Sequence, residues 1–134
     1  CSGETVKKKG LTPLARIVGW GGHAQAPEWF TTAPVGAIKE AFAKTGLKAG
    51  DIDHYEVNEA FAVVAMVTAA QIGIASEKMN ARGGAIAIGH PIGASGARIL
   101  TTLLHTLKDT GTKRGLATLC IGGGEAVALI VERV

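Results

Sequence analysis

The hydrophobic positions along the chain predict short strands that alternate with helices. Apolar residues at every second position, or in short runs bounded by glycine, favour strands, whereas apolar residues three and four positions apart favour helices. The predicted strands are 13–20, 51–57, 85–88, 115–120 and 126–131, the predicted helices are 2–9, 33–45, 60–72 and 94–108, and loops fall at 23–32 and 77–82. Elements in this order, finishing in a hairpin, predict an α/β fold with a mixed β-sheet layered with helices.

Two of the predicted helices are unusually apolar. Helix 60–72 has almost no polar face, and helix 94–108 is also mostly apolar. A helix that is hydrophobic on all sides is normally enclosed by other protein. A chain of 134 residues cannot easily enclose two such helices, so the pattern predicts a partner domain or subunit.

The composition is that of a single globular domain. The chain has 134 residues, of which 47% are hydrophobic and 19% are charged, which is enough for one domain with its own core. The net charge is +3 and only 4% of residues are aromatic, so nucleic-acid binding is not expected. A small acidic ligand fits this mild positive charge better. Every apolar stretch is interrupted before it reaches the length of a membrane helix, so no membrane association is expected either.

The cysteine content favours a reducing, cytoplasmic compartment. Cys1 and Cys120 are the only cysteines, too few and too far apart for a disulfide framework or a zinc site. No group of residues has metal-ligand spacing. The chain opens on Cys-Ser-Gly without an initiator methionine, and we therefore expect the true N-terminus to lie upstream.

The most informative stretch for chemistry is 80–98, which presents His90 in a glycine-rich turn between a predicted strand and a helix. Histidine exchanges a proton most easily near neutral pH. The first N–H groups of the helix are expected to point toward the imidazole, where they would favour its neutral form and provide donors for an oxyanion. The alternative is that His90 only hydrogen-bonds a tight turn. The other histidines, His23, His54 and His105, are assigned to a loop, a strand and a helix without a role.

Two further polar residues occupy similar corners at strand ends. Asn58 follows strand 51–57, and Cys120 ends strand 115–120 before three consecutive glycines. Because α/β folds build their sites beyond the carboxyl ends of strands, these residues and His90 are expected to converge on one cavity. Simpler interpretations also exist: Asn58 could be a helix N-cap and Cys120 a small buried hydrophobe.

The three corners lie within longer motifs. These are N-E-A-F-A at 58–62, G-G-A-I-A-I-G-H-P-I-G-A-S-G-A-R at 83–98 and L-C-I-G-G-G at 119–124, with about 30 residues between successive corner residues. In sequence, order and spacing they closely resemble the motifs of thiolases of the acetyl-CoA acetyltransferase type. The resemblance extends over 11–134 and matches the C-terminal half of those enzymes. It implies a thiolase-like fold, one half of the usual duplicated architecture, with 13–134 as the C-terminal domain and 1–12 as the end of the preceding segment.

The resemblance implies catalytic roles for three side chains and one backbone group. Thiolases pass an acyl group from acyl-CoA to a cysteine in the N-terminal half, and then exchange it with a second CoA substrate. His90 would activate that cysteine as a base and donate to one oxyanion hole, and Asn58 would position the water that completes this hole. Cys120 would be the acid/base at the α-carbon of the second acetyl-CoA. The N–H of Gly122 would contribute to a second oxyanion hole.

The resemblance also implies a pocket and partners. Phe61 and Phe30 match positions that line the acyl pocket. The nucleophilic cysteine is not in this sequence, and Cys1, in C-S-G-E-T, does not resemble its motif. The chain is therefore expected to need an N-terminal thiolase domain, to be inactive alone, and to belong to a homo-oligomer, a dimer or tetramer. Acyl-CoA and CoA are expected as substrates, with no cofactor.

Two other functions are compatible with the sequence. A decarboxylating ketoacyl synthase of the same superfamily also presents a histidine on a G-H-x-x-G loop, but it generally has histidine or asparagine where this chain has Cys120. A non-catalytic module that binds CoA or another subunit would use the apolar helices to contact a partner protein.

Overall fold

The computed structural model describes all 134 residues and contains one four-stranded mixed sheet. Its strands are β1 (Ala15–Ala24), β2 (His54–Val57), β3 (Arg114–Ile121) and β4 (Glu125–Arg133). They are arranged in the order β1-β4-β3-β2. β4 is antiparallel to both β1 and β3, whereas β2 runs parallel to β3. The carboxyl ends of β2 and β3 therefore lie side by side, and these are the ends that Asn58 and Cys120 occupy.

Five α-helices and three short 3-10 segments surround the sheet. The α-helices are α1 (Gly3–Lys9), α2 (Ala33–Thr45), α3 (Ala62–Ile72), α4 (Ala85–Ile88) and α5 (Ser95–Thr110), and the 3-10 segments are Pro27–Thr32, Ala49–Asp51 and Ser76–Lys78. α2, α3 and α5 each end at a glycine in the left-handed conformation, where a residue without a side chain is least strained. The predicted α/β class with a mixed, helix-layered sheet is confirmed.

Two hydrophobic clusters form the core. The larger one joins buried residues of α2 and α3 to β2, β3 and β4, with Ile38, Val64 and Leu116 among its members. The smaller one joins α5 to the opposite side of β3 and β4 through Leu103, Leu107, Val131 and neighbouring residues. The sheet is thus covered by α2 and α3 on one side and by α5 on the other, which fixes where the loops after β2 and β3 meet the start of α5.

Part of the face that carries α5 is left uncovered. Its apolar side chains lie beside an open groove of about 650 Å³, and they include Trp20 at 65% exposure and Val127 at 44%. α3 also exposes Val63 and Met66. Scattered apolar residues are normal on a protein surface, but a continuous apolar groove indicates a contact surface. This agrees with the predicted need for a partner.

The predicted strand 85–88 is wrong, because these residues form the single-turn helix α4. The sequence Ala-Ile-Ala-Ile suits either conformation, and two neighbouring groups favour the helix. The edge of β2 is already occupied by Asn80, whose side chain exchanges hydrogen bonds with the N–H and C=O of Val57, both at 2.9 Å. At the start of α4 the Glu59 carboxylate accepts a hydrogen bond from the N–H of Ile86 at 3.1 Å.

The predicted loop 23–32 is also largely wrong. β1 continues to Ala24, so His23 is a strand residue and not a loop residue, and Pro27–Thr32 is a 3-10 helix. The cause is pairing with β4, whose register extends to Ala24 opposite Glu125. No helix of the chain has both the length and the apolar character needed to cross a membrane.

Candidate active site

Asn58 is fixed at the carboxyl end of β2. It is fully buried, and its backbone N–H donates to the carbonyl of Thr118 on β3 at 3.0 Å. Helix α3 begins only at Ala62, with Phe61 in the N-cap position. The interpretation of Asn58 as a helix N-cap is therefore wrong, and its side chain is available for other contacts.

The structure brings Asn58 and His90 together. The side-chain nitrogen Nδ2 of Asn58 lies 3.5 Å from Nε2 of His90, at the outer limit of a hydrogen bond. On the other side of the ring, Nδ1 of His90 lies 2.6 Å from Oγ of Ser95, the first residue of α5. The start of α5 thus contacts the imidazole through a hydroxyl group, where the sequence had indicated backbone N–H groups.

For a neutral ring, one tautomer of His90 satisfies all of these contacts. Oγ of Ser95 donates to the carbonyl of Pro91 at 3.1 Å, so it accepts from His90, and the proton of the neutral ring lies on Nδ1. Nε2 then carries the lone pair and accepts from the NH₂ group of Asn58. This leaves the ring nitrogen on the Asn58 side able to take a proton.

A buried ion pair between Arg98 and Glu56 lies next to Asn58. Arg98 on α5 donates from Nη2 to Oδ1 of Asn58 and from Nη1 to the carboxylate of Glu56, both at 3.3 Å. Glu56 is only 2% exposed. Burial raises the pKa of Glu56 to about 7, since it outweighs the opposing attraction of Arg98, and the charge of nearby Glu59 raises it further.

A second polar group ties the loop after β2 to the histidine loop. Nδ2 of Asn80 donates to Glu59 at 2.9 Å, and the other oxygen of that carboxylate accepts from the backbone N–H of Ile86. Asn80 has φ of +48°, a left-handed conformation that asparagine tolerates better than most residues. Glu59 therefore connects Asn80 to α4, the element that leads directly into His90.

Cys120 lies at the end of β3, two residues beyond Thr118. It is 8% exposed and belongs to the larger hydrophobic cluster. Burial raises the pKa of its thiol, and only a hydrogen bond from its own backbone opposes this shift. Within this chain the strongest influence on the pKa of the Cys120 thiol is therefore desolvation.

The turn that follows Cys120 connects β3 to β4 and lies against the end of β1. The carbonyl of Gly124 accepts a hydrogen bond from the N–H of Gln25 at 3.0 Å. A Cβ at Gly124 would lie 2.1 Å from the carbonyl oxygen of Gln25, and its φ is +92°. Gly124 must therefore be glycine, whereas Gly122 has no atom within 4 Å of where a Cβ would be and stands on the open side of the turn.

The two phenylalanines expected in the acyl pocket are in contact. The ring centroids of Phe30 and Phe61 lie 5.9 Å apart in an edge-to-face arrangement, a favourable geometry for aromatic pairs. Phe61 is 58% exposed, so it can also contact a ligand. It immediately precedes α3, only three residues after Asn58.

Sequence reasoning missed the supporting residues of the site. Ser95 and Arg98 lie within the G-A-S-G-A-R part of the motif, three positions apart and therefore on one face of α5. The spacing of Ser95 and Arg98, together with the carboxylate of Glu56 two residues before Asn58, was the sequence signal that could have identified these supporting residues. Asn80 had no signal of this kind, because its contacts depend on the conformation of the loop.

The family "Thiolase, C-terminal domain" matches residues 11–133. The chain therefore belongs to the thiolase family and corresponds to its C-terminal domain. Over 131 residues it is 53% identical to acetyl-CoA acetyltransferase 2 of Arabidopsis thaliana, covering 98% of this chain and 32% of that protein. Over 127 residues it is 52% identical to the cytosolic acetyl-CoA acetyltransferase of Mus musculus, covering 95% of this chain and 32% of that protein.

Solved thiolase structures show the same fold. The crystal structure of human mitochondrial 3-ketoacyl-CoA thiolase superposes with a TM-score of 0.97 at 42% identity, covering all of this chain and 34% of that chain. The acetyl-CoA acetyltransferase of Bacillus anthracis gives 0.96 at 41% identity, covering 99% and 34%. The chain thus spans about a third of the length of the relatives it matches.

Proposed function

We propose that this chain supplies the C-terminal part of the active site of a thiolase that catalyses the reversible condensation of two acetyl-CoA into acetoacetyl-CoA and CoA. The observation that carries the proposal is the contact of Asn58 with His90, formed by residues of two family motifs and oriented so that Nε2 of His90 can accept a proton. The relatives named acetyl-CoA acetyltransferase support the choice of acetyl-CoA as substrate.

In the first step, His90 acts as the base. Its Nε2 takes the proton of a cysteine supplied by an N-terminal thiolase domain, and the resulting thiolate attacks the thioester carbonyl of acetyl-CoA. The carbon–sulfur bond to CoA breaks, and the proton returns to the departing CoA thiolate. Asn58 positions a water that, together with His90, stabilises an oxyanion at the thioester oxygen. A preorganised donor of this kind contributes roughly 3 kcal/mol to transition-state stabilisation.

In the second step, Cys120 exchanges a proton with the second acetyl-CoA. Its thiolate removes a proton from the α-carbon, and the N–H of Gly122 contributes to the second oxyanion hole. The enolate carbon attacks the acyl group on the nucleophilic cysteine, whose thiolate leaves as acetoacetyl-CoA forms. Because burial raises the Cys120 pKa within this chain, the groups that favour its thiolate belong to the substrate or to the other domain.

The remaining parts of the site follow from the same assignment. Phe30 and Phe61 line the acyl pocket, and CoA thioesters are the substrates, so the reaction needs no resident cofactor. A relative, human mitochondrial 3-ketoacyl-CoA thiolase, has been crystallised in complex with CoA.

The complete enzyme contains an N-terminal thiolase domain and forms a homo-oligomer, a dimer or tetramer. It works in the cytoplasm, like the relative named as cytosolic.

The test is transfer of a radiolabelled acetyl group from acetyl-CoA to the complete enzyme, this chain together with an N-terminal thiolase domain. His90→Ala should abolish this acylation, since the cysteine then lacks its base. His105→Ala is the matched control, because His105 is an exposed histidine on α5 and should acylate normally. Rapid acylation of His90→Ala would contradict the assigned role.

The choice of substrate separates this function from its rivals. Condensation with acetyl-CoA alone supports a thiolase, whereas a strict requirement for a malonyl thioester would identify a ketoacyl synthase. Binding of CoA without acylation, even with the N-terminal domain present, would identify a non-catalytic module.

A further inference from the structure

A continuous chain of hydrogen bonds runs from the guanidinium of Arg98 to the carbonyl of Pro91. Between its ends it passes through the side chains of Asn58, His90 and Ser95, and Arg98 also donates to the carboxylate of Glu56. One end is a guanidinium, which can only donate, and the other is a backbone carbonyl, which can only accept. These ends give every bond in the chain the same direction.

Arg98 sets the direction of these hydrogen bonds through its contact with the carboxamide of Asn58. The carboxamide of Asn58 could face His90 with either its NH₂ group or its oxygen. With Nη2 of Arg98 at 3.3 Å from Oδ1, the oxygen is held toward the guanidinium and the NH₂ group toward the ring. Reversing the amide would place NH₂ against the donors of Arg98, so one buried hydrogen bond would be lost and two donors would face each other.

The placement of Arg98 is unfavourable for stability alone. Its side chain is 17% exposed, and its Nε is buried without a hydrogen-bond partner. Unsatisfied buried donors destabilise a fold. Glu56 provides the neighbouring negative charge at 3.3 Å, and Asn58, itself fully buried, accepts the remaining donor.

We propose that Arg98 is a positioning residue, which orients the carboxamide of Asn58 so that Nε2 of His90 keeps its lone pair and remains a proton acceptor. Glu56 holds the guanidinium in place. The consequence for catalysis rests on the proposed thiolase function, whereas the effect on the His90 ring can be measured without it.

The probe is diethyl pyrocarbonate, which reacts with an unprotonated imidazole nitrogen. The rate at which it modifies His90 in the complete enzyme is measured at one fixed pH by peptide mass spectrometry. Trypsin cuts after Arg82 and Arg98, so the peptide 83–98 contains His90 as its only histidine. In variants without a basic residue at position 98 the peptide extends to Lys108, and fragment ions separate His90 from His105.

Arg98→Met should slow the modification of His90 about fivefold, roughly the factor that one neutral hydrogen bond controls. The freed carboxamide can then turn its oxygen to the ring and place the proton on Nε2. The lone pair moves to Nδ1, which Ser95 covers. Arg98→Lys, which keeps a donor and the charge, should recover most of the wild-type rate.

The matched control is Arg114→Met. Arg114 also pairs with a glutamate, Glu132, at 2.7 Å, but at the opposite end of β3. This variant should leave the modification of His90 unchanged. If Arg98→Met does not fold, the comparison is made in E56Q/R98M, where the buried carboxylate has also been neutralised and the same outcomes apply.

A double-mutant cycle separates orientation from simple loss of charge. If Arg98 acts through Asn58, then His90 should be modified at the same rate in N58A/R98M as in N58A. If the lost positive charge acts directly on His90, Arg98→Met should slow the reaction in both backgrounds, and that result would overturn the proposal. An unchanged rate in Arg98→Met alone would also overturn it.

The kinetics of acylation give a second measurement, independent of the rate at which His90 is modified. In an active thiolase, Arg98→Met should lower kcat for acylation about tenfold, with little change in KM, because Arg98 does not touch the substrate. A wild-type protein that never acylates would contradict the proposed function, but the modification rates would still decide the role of Arg98.

Discussion

Cys120 lies in surroundings that oppose the charge its proposed role requires. It belongs to a hydrophobic cluster, and its burial raises the pKa of the thiol. Such a thiol is inert until a polar group or a substrate enters its surroundings. The residue is therefore suited to exchange a proton with a bound substrate while resisting alkylation and oxidation in the free protein.

We predict that Cys120→Ala in the complete enzyme will accept an acetyl group from acetyl-CoA but will fail to form acetoacetyl-CoA. In the proposed mechanism, acylation requires His90, whereas enolate formation requires the thiol of Cys120. Acyl labelling and product formation are measured on the same sample, and Cys1→Ala, at the other free cysteine, is the matched control. Condensation at the wild-type rate would remove Cys120 from the mechanism.

The raised pKa of Glu56 predicts that the free energy of unfolding depends on pH. Its pKa is raised from 4.5 to about 7 in the folded protein, so its contribution to stability is fully present below pH 4.5 and is lost as the pH rises through 7. Relative to Glu56→Gln, the free energy of unfolding of the wild type should fall by about 2–3 kcal/mol between pH 5 and 8. Urea unfolding at several pH values measures this difference. A constant difference would mean that Glu56 is ionised throughout.

At the residue scale, the sequence indicated the candidate reactive groups more readily than the residues that support them. Asn58, His90 and Cys120 could be recognised because strand ends, glycines and long motifs surround them. The contacts of Ser95 and Arg98 depend on how α5 crosses the end of β2, which is a tertiary arrangement. The raised pKa of Cys120 was missed because desolvation depends on packing that the local sequence does not contain.

At the scale of elements, Glu59 determines how the histidine loop begins. A Cβ at Gly84 would lie 2.3 Å from the carboxyl carbon of Glu59, so glycine is required for the carboxylate to reach the first turn of α4. The same carboxylate also binds Asn80. Glu59 thereby locks the loop after β2 to Asn80 and the start of α4, which lie 21 and 27 residues further along the chain.

Gly84→Ala should therefore destabilise the protein by about 1–3 kcal/mol, since the added methyl group must displace Glu59. The backbone of Gly84 has φ of −128°, which alanine can adopt, so the effect would come from the clash and not from backbone strain. Thermal unfolding measures the change. Gly50→Ala is the control, because a Cβ at Gly50 would have no atom within 4 Å, and an equal loss in both variants would contradict the explanation.

The periodicity of the sequence was sufficient for most elements. It predicted α2, α3, α5 and the β3–β4 hairpin because these elements are long or bounded by glycine. It was insufficient for Ala85–Ile88, where four small and branched residues suit a helix and a strand equally. There the side chains of Glu59, from the loop after β2, and of Asn80, just before α4, determined the conformation.

At the scale of the whole molecule, the main feature is the uncovered apolar face beside α5. Val127 and Leu129 lie there on β4, with Trp20 and Leu100 around the same groove. A thiolase relative is about three times as long as this chain, so an N-terminal domain is the expected cover. The boundary between 1–12 and 13–134 stays a prediction.

Val127→Glu should weaken the association of this chain with an N-terminal thiolase domain by at least tenfold, because a carboxylate buried in an apolar contact is strongly unfavourable. Ala43→Glu, on the exposed side of α2, adds the same charge and should have no effect. Co-purification and titration of the two parts measure the association. Equal binding by both variants would show that this groove is not the contact surface.

Both edges of the sheet carry a side chain that limits self-association. At β2 the side chain of Asn80 occupies the backbone groups of Val57, and at β1 the carboxylate of Glu40 accepts a hydrogen bond from the N–H of Gly22 at 2.6 Å. An unpaired edge can recruit another strand. Because a side chain of the same molecule already holds backbone groups at each edge, a strand from another copy must displace it before it can pair, and this disfavours growth of the sheet into a fibre.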